Sequence, residues 1–148
     1  MSSRNLKVTV VGLGYIGLPT AAVLASVGHE VLGVDVNPAV VDTVNRGSVH
    51  IVEPDLDGLV LGAVHSNRLR ATLDPEPSDV FMISVPTPFK DGHKPDLTFV
   101  RKATQTITPH LRPGNLVILE STSPVGTTEK LAAWLVAERP DLKNASGH

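Results

Sequence analysis

Hydrophobic positions along this chain fall into two kinds of run. Leu6–Val11, Glu30–Asp35, Leu69–Leu73, Asp79–Val85 and Asn115–Glu120 are short and mostly apolar, as strands covered on both faces are. Between them the apolar residues step by three and four. Tyr15–Val27 carries Ile16, Ala21, Val23, Leu24 and Val27 on one side, and Pro38–Arg46 carries Val40, Val41 and Val44. A third helix is expected from Pro54 to about His65 on Leu56, Leu59, Val60 and Val64. Asp96 opens a fourth with Leu97, Val100, Thr104, Ile107 and Leu111, and Ser123-Pro124 reads as the cap and first residue of a fifth with Thr128, Leu131, Ala132 and Leu135 inward. Gly28, Gly47 and Pro113-Gly114 supply the stops. This β-α-β alternation predicts an α/β fold, a doubly wound parallel sheet with helices on both faces and strand order 3-2-1-4-5 by analogy.

The join between the first strand and the first helix holds the chemistry. Gly12, Gly14 and Gly17 stand in G-x-G-x-x-G spacing within Val11-Gly-Leu-Gly-Tyr-Ile-Gly. In such a turn the first glycine allows the sharp exit from the strand, the second lets backbone approach a pyrophosphate, and the third lets the helix press on the sheet. The helix amino terminus then offers free N–H groups and the positive end of its dipole to an anion. Pro19 falls in the first turn, where a missing N–H costs little. The second strand ends in Asp35, 18 residues past Gly17, where a Rossmann-like unit keeps a carboxylate for the adenosine ribose. That acid accepts ribose hydroxyls and repels a 2′-phosphate, so the expected cofactor is NAD rather than NADP. The competing reading of Asp35 is an Asx-turn ahead of the helix at Pro38.

Bulk properties narrow the picture. The 148 residues (15.7 kDa) fit one domain, and a net charge of −2 gives no basic excess for nucleic acid. No apolar run is long enough for a membrane span or shaped as a signal peptide, so no membrane partner and a cytoplasmic setting are expected. The absence of cysteine excludes disulfides, thiolate metal sites and a cysteine nucleophile within this sequence. The six histidines are scattered without an i, i+4 pair and are read as surface residues, and no metal site is expected. The helix at 54–65 and Trp134 are read as core or interface.

Three stretches taken together, Val11–Pro19, Val85-Pro-Thr-Pro-Phe-Lys90 and Leu119-Glu-Ser-Thr-Ser-Pro-Val-Gly-Thr-Thr128, resemble the amino-terminal domain of the UDP-glucose/UDP-mannose dehydrogenase family. The similarity covers about residues 6–142. Within the family, Asn45–Asp55 and the Glu-Ser-Thr-Ser-Pro stretch are most similar to the UDP-N-acetyl-D-mannosamine branch.

The resemblance implies oxidation of a sugar C6 alcohol to a carboxylate with two NAD, through a cysteine thioester whose cysteine and assisting lysine lie in a later part of the family's chain. Residues 1–148 are therefore expected to be the amino-terminal NAD-binding fragment of a longer dehydrogenase, inactive alone, with a UDP-sugar held mostly by the missing part and a homo-oligomer formed by the full-length enzyme. It further implies cofactor contacts at Tyr15, Ile16, Asp35, Thr87 and Thr128, and a catalytic role for Thr122 in holding the hydrolytic water. Tyr15 as a packed aromatic, Thr87 as a turn residue, Thr122 as a cap and Thr128 as a core-facing position remain the alternatives. Two positions depart from the pattern. Val40 stands where many relatives have Arg or Lys, and Glu120 where UDP-glucose enzymes often have lysine. The other functions consistent with the sequence are a UDP-glucose 6-dehydrogenase domain and a stand-alone NAD-sensing module without chemistry.

Overall fold

The structure, a computed structural model, describes residues 5–90, 92, 94–120 and 124–143. Five parallel strands form the sheet: β1 (Lys7–Val11), β2 (Glu30–Val34), β3 (Leu69–Thr72), β4 (Val80–Ile83) and, after a small ribbon, β7 (Leu116–Leu119). Their order is β3-β2-β1-β4-β7, the predicted doubly wound arrangement, and the order reverses between β1 and β4. The strands are one to three residues shorter than the apolar runs, because ladder pairing stops before the side chains leave the core.

Period-two alternation along each strand feeds two cores. Val8, Val10 and Val31 face α1 (Gly17–Ser26), α2 (Pro38–Asn45) and α3 (Leu56–His65), joined by Leu18, Ala21, Ala22, Val41, Val44, Leu56 and Val60. On the opposite face Val11, Leu32, Val34, Phe81 and Ile83 meet α4 (Thr98–Ile107) and α5 (Thr127–Glu138) through Val100, Ala103, Ile107 and Leu131. Thr9 is buried on the sheet and its hydroxyl pairs with that of Ser78 at 2.6 Å, so its polar atom stays satisfied.

Several expected details change. The inward face of α1 is Leu18, Ala21, Ala22 and Ala25, whereas Ile16, Val23 and Val27 are exposed. The helix lies so close to the sheet that only small side chains fit over most of its inner face, and the β-branched residues turn outward. In α3 the buried set is Leu56, Val60 and Ala63, with Leu59 partly exposed.

The last helix begins at Thr127 behind Gly126, which has φ +91°, so Pro124 precedes the helix instead of starting it. Its inward residues are Thr127 and Leu131, while Thr128 and Ala132 are exposed. Ser123, expected as its cap, lies outside the described residues. Asp96, expected as the cap of α4, stands one residue ahead of the N-cap Leu97, and its Oδ1 accepts the Thr98 N–H at 2.9 Å as an Asx-type turn leading into the helix. After β4 the prolines take the chain out of the sheet into an antiparallel ribbon, β5 (Phe89–Lys90) with β6 (Lys94–Pro95), which the sequence pattern did not suggest. Among the described residues no helix is long and apolar enough to cross a membrane.

Candidate dinucleotide site

Gly12 leaves β1 at φ +100° and its N–H donates to the Val34 carbonyl at 2.8 Å. A Cβ there would lie 2.6 Å from the Ser84 carbonyl oxygen, and one at Gly17 would overlap the Gly12 carbonyl. Both glycines are demanded by the fold itself. Gly14 differs. Its φ is not positive, and an added Cβ would meet nothing within 4 Å. Among the described residues nothing requires a glycine at 14, as is also true of Gly58 and Gly62 in α3; what distinguishes Gly14 is its place in the turn after β1, where bare backbone leaves room for a pyrophosphate.

The first backbone bond of α1 runs from Leu18 N–H to the Gly14 carbonyl at 3.1 Å, which leaves the amides of the preceding turn without intrahelical partners. The N-cap residue of this helix, Ile16, makes no side-chain cap bond, and no acid stands in the helix's first turn. Its positive end is left for an external anion. Tyr15 and Ile16 flank the turn and are 67% and 45% exposed, which rules out Tyr15 as a packed core aromatic.

Asp35 follows β2 beside this turn, and its carboxylate is already at work. Oδ2 accepts the Leu13 N–H and Oδ1 accepts the Asn37 N–H, each at 3.0 Å. The first bond ties the glycine turn to the second strand; the second is the Asx-turn. The cap of α2 is Asn37, whose Oδ1 accepts the Ala39 N–H at 3.0 Å. A carboxylate has about four lone-pair sites, so these two bonds leave Asp35 capacity for ribose hydroxyls. It is half-buried.

Across the switch point, the ends of β4 and β7 form the other flank. Ser84 is 8% exposed, its N–H donates to the Val11 carbonyl, and its side chain backs the glycine turn. Glu120, which the sequence puts on this rim as a departure from the family pattern but to which it assigns no role, joins the site through its side chain. Its Oε1 accepts the Ser84 hydroxyl at 2.6 Å and its Oε2 accepts the Thr20 hydroxyl at 2.8 Å. The one signal available was an acid at the carboxyl end of a parallel strand. Thr87 is half-buried between its prolines on the same rim. Thr128 is exposed in the first turn of α5, so its core-facing alternative fails; the buried hydroxyl is that of Thr127, bonded to the Pro124 carbonyl at 2.8 Å. Thr122 lies outside the described residues.

Other features belong to the scaffold. Open depressions of about 500 and 560 Å³ lie at the amino ends of the strands, around Lys7, Arg68 and Asp79 and around Arg112 and Asn115. The polar groups there pair with one another: Asp79 accepts the Lys7 N–H, and Arg68 donates to the Gly28 carbonyl. Ligands of doubly wound sheets sit at the other end. His29 is not a free surface residue, because its Nδ1 accepts the Leu6 N–H at 3.1 Å. Among the described residues no three His, Asp or Glu side chains gather as metal ligands.

A glycine turn with an open side, an uncapped helix aimed over it and an acid ending the second strand define a dinucleotide-binding domain of the doubly wound class. The chain belongs to the UDP-glucose/GDP-mannose dehydrogenase family: the model of that family's NAD binding domain matches residues 6–147. The family description gives GDP-mannose where the sequence reading had UDP-mannose.

Among curated relatives, an NDP-N-acetyl-D-galactosaminuronic acid dehydrogenase of Ralstonia nicotianae is 62% identical over 91% of this chain and 32% of its own length. A UDP-N-acetyl-D-mannosamine dehydrogenase of Escherichia coli K12 is 58% identical over the same shares. The solved UDP-N-acetyl-mannosamine dehydrogenase of S. aureus superposes with a TM-score of 0.86 at 40% identity, over 90% of this chain and 32% of that one. The chain thus spans about one third of the length of the relatives it matches.

Proposed function

We propose that this chain holds NAD for the oxidation of the C6 alcohol of a UDP-linked N-acetylated hexose, UDP-N-acetyl-D-mannosamine, to the carboxylate. The observation that carries the cofactor reading is the glycine turn itself, tight at Gly12 and Gly17, open at Gly14, and tied through the Leu13 N–H to the acid that follows the second strand, Asp35. The names of the relatives support the substrate class, since those at 62% and 58% identity both act on N-acetylated sugars. They also favour an enzyme over a sensing module.

The amides of the glycine turn and the end of α1 receive the pyrophosphate, with Tyr15 and Ile16 beside it. Asp35 accepts the adenosine ribose hydroxyls, and its charge, with Val40 rather than a cation nearby, disfavours a 2′-phosphate. Thr87 and Thr128 lie toward the nicotinamide half. NAD supplies the hydride acceptor, two equivalents for the four electrons between alcohol and acid. The thioester step needs a thiol, and this sequence contains no cysteine. The chain alone is therefore inactive, and Thr122 acts only in the longer enzyme, where it holds the water that releases the acid.

Calorimetric titration of the chain with NAD and NADP tests the reading. NAD must bind more tightly. Equal or tighter NADP binding contradicts the role given to Asp35, and sustained NADH formation from UDP-N-acetylmannosamine by the chain alone contradicts the division of labour.

A further inference from the structure

Asp35 fixes which way a dinucleotide lies across the rim. With the adenosine ribose on the β2 side and the pyrophosphate over Gly14, the remaining half extends past the switch point toward β4 and β7. Among the described residues, the side chains joined to one another there are Ser84, Thr20 and Glu120. Glu120 joins three elements: its carboxylate accepts hydroxyls from the end of β4 and from the first turns of α1, and its own N–H donates to the Ile83 carbonyl at 2.9 Å. Ser84, which it grips, is the residue pressed against Gly12 and Gly17. One carboxylate thus sets the spacing between the phosphate-binding turn and the flank that receives the nicotinamide.

Both oxygens accept, as those of a carboxylate do, and the side chain is only half-buried. It brings a negative charge to that flank. The nicotinamide ring of NAD⁺ carries a positive charge that NADH lacks, so a fixed anion nearby distinguishes the two forms. From this arrangement we infer that Glu120 is a positioning residue for the nicotinamide half of the site and biases it toward NAD⁺ over NADH, favouring capture of oxidant and release of reduced product. This rests on the NAD reading above.

Glu120→Gln keeps the length and can bond both hydroxyls while removing the charge. Calorimetric titration of the unaltered chain and the variant with NAD⁺ and NADH reads the ratio of the two affinities. The expected result is an NAD⁺ preference reduced about fivefold in the variant, the scale of one charge acting across several ångströms of partly wet protein. A merely structural Glu120 would weaken both forms equally and leave the ratio unmoved, which overturns the inference. Should the variant fail to fold, the same ratio in the unaltered chain decides. Added salt screens the pyrophosphate contribution alike for both forms, which cancels in the ratio, but it also screens the attraction between the carboxylate and the cationic ring that NAD⁺ alone makes, so the preference must shrink as salt is raised, and a salt-independent ratio counts against the inference. If the unaltered chain binds neither form, the NAD reading itself falls; if it binds both and only the ratio fails, Glu120 alone loses its role.

Discussion

Helices α1 and α2 begin at the same edge of the sheet, after neighbouring parallel strands, and they begin in opposite ways. The start of α2 is closed from within: Asn37 accepts the Ala39 N–H and Pro38 occupies the first turn, where its missing N–H is no loss. Among the described residues, the start of α1 has no side-chain cap bond, no first-turn acid and, at Gly14, no atom within 4 Å of where a Cβ would lie. An uncapped start is shared with α3, α4 and α5; what sets α1 apart is that its start follows the glycine turn at the carboxyl ends of the strands, where ligands of doubly wound sheets sit. Asp35 lies between the two and belongs to both, because one oxygen braces the glycine turn and the other braces the approach to α2.

That contrast can be broken at graded points. Gly17→Ala forces a Cβ into the Gly12 carbonyl, a backbone atom that cannot swing aside, and is expected to cost about 3 kcal/mol or more of stability and abolish a sharp melting transition. Asp35→Ala is expected to weaken NAD by about 1–3 kcal/mol and to lower unfolding stability by about 1–2 kcal/mol, since it removes two internal bonds as well as the ribose acceptor. Asn37→Ala should cost about 1 kcal/mol in denaturant unfolding and leave NAD affinity unchanged. A loss of NAD binding there would erase the distinction between the two helices.

The smallest effect lies at the far end of the sheet, where Glu76 bonds Arg70 at 2.6 Å and Lys7 at 2.9 Å. The Arg70 bond first, then that of Lys7, lowers its carboxyl from 4.5 to about 2. A depressed acid stabilises the fold above its unfolded value and loses that contribution as pH falls through about 2. Its side chain is 38% exposed, so solvent screening limits the triad to about 1 kcal/mol. Glu76→Gln should be less stable by about that amount at neutral pH, with the gap closing below pH about 4.5 in urea unfolding curves.

What was legible in the sequence follows the range of the forces involved. The strand order, the two-faced core and the first flank of the site rest on local signals: apolar runs, glycines whose steric necessity is fixed within a few residues, and an acid ending a strand. Gly12, Gly17 and Asp35 stand where that logic places them. The second flank rests on side-chain bonds between residues far apart in sequence, Glu120 to Ser84 and Glu120 to Thr20, which no periodicity announces. The inward face of α1 was misjudged because close packing over Gly17 selects alanines against larger, more hydrophobic neighbours. The start of α5 was misjudged because a serine-proline pair looks like a cap, while the chain spends Pro124 to Gly126 on a turn before the helix begins.

Gly14→Ala isolates the claim that the open terminus of α1 exists for a ligand. Among the described residues the substitution meets no atom within 4 Å, and Gly14 is not in the positive-φ region, so unfolding stability should be unchanged or raised by up to about 1 kcal/mol. NAD affinity, measured by calorimetry on the same preparation, should fall by at least about tenfold as the methyl occupies the pyrophosphate's approach. A folded Gly14→Ala chain that binds NAD as tightly as the unaltered one would contradict the account.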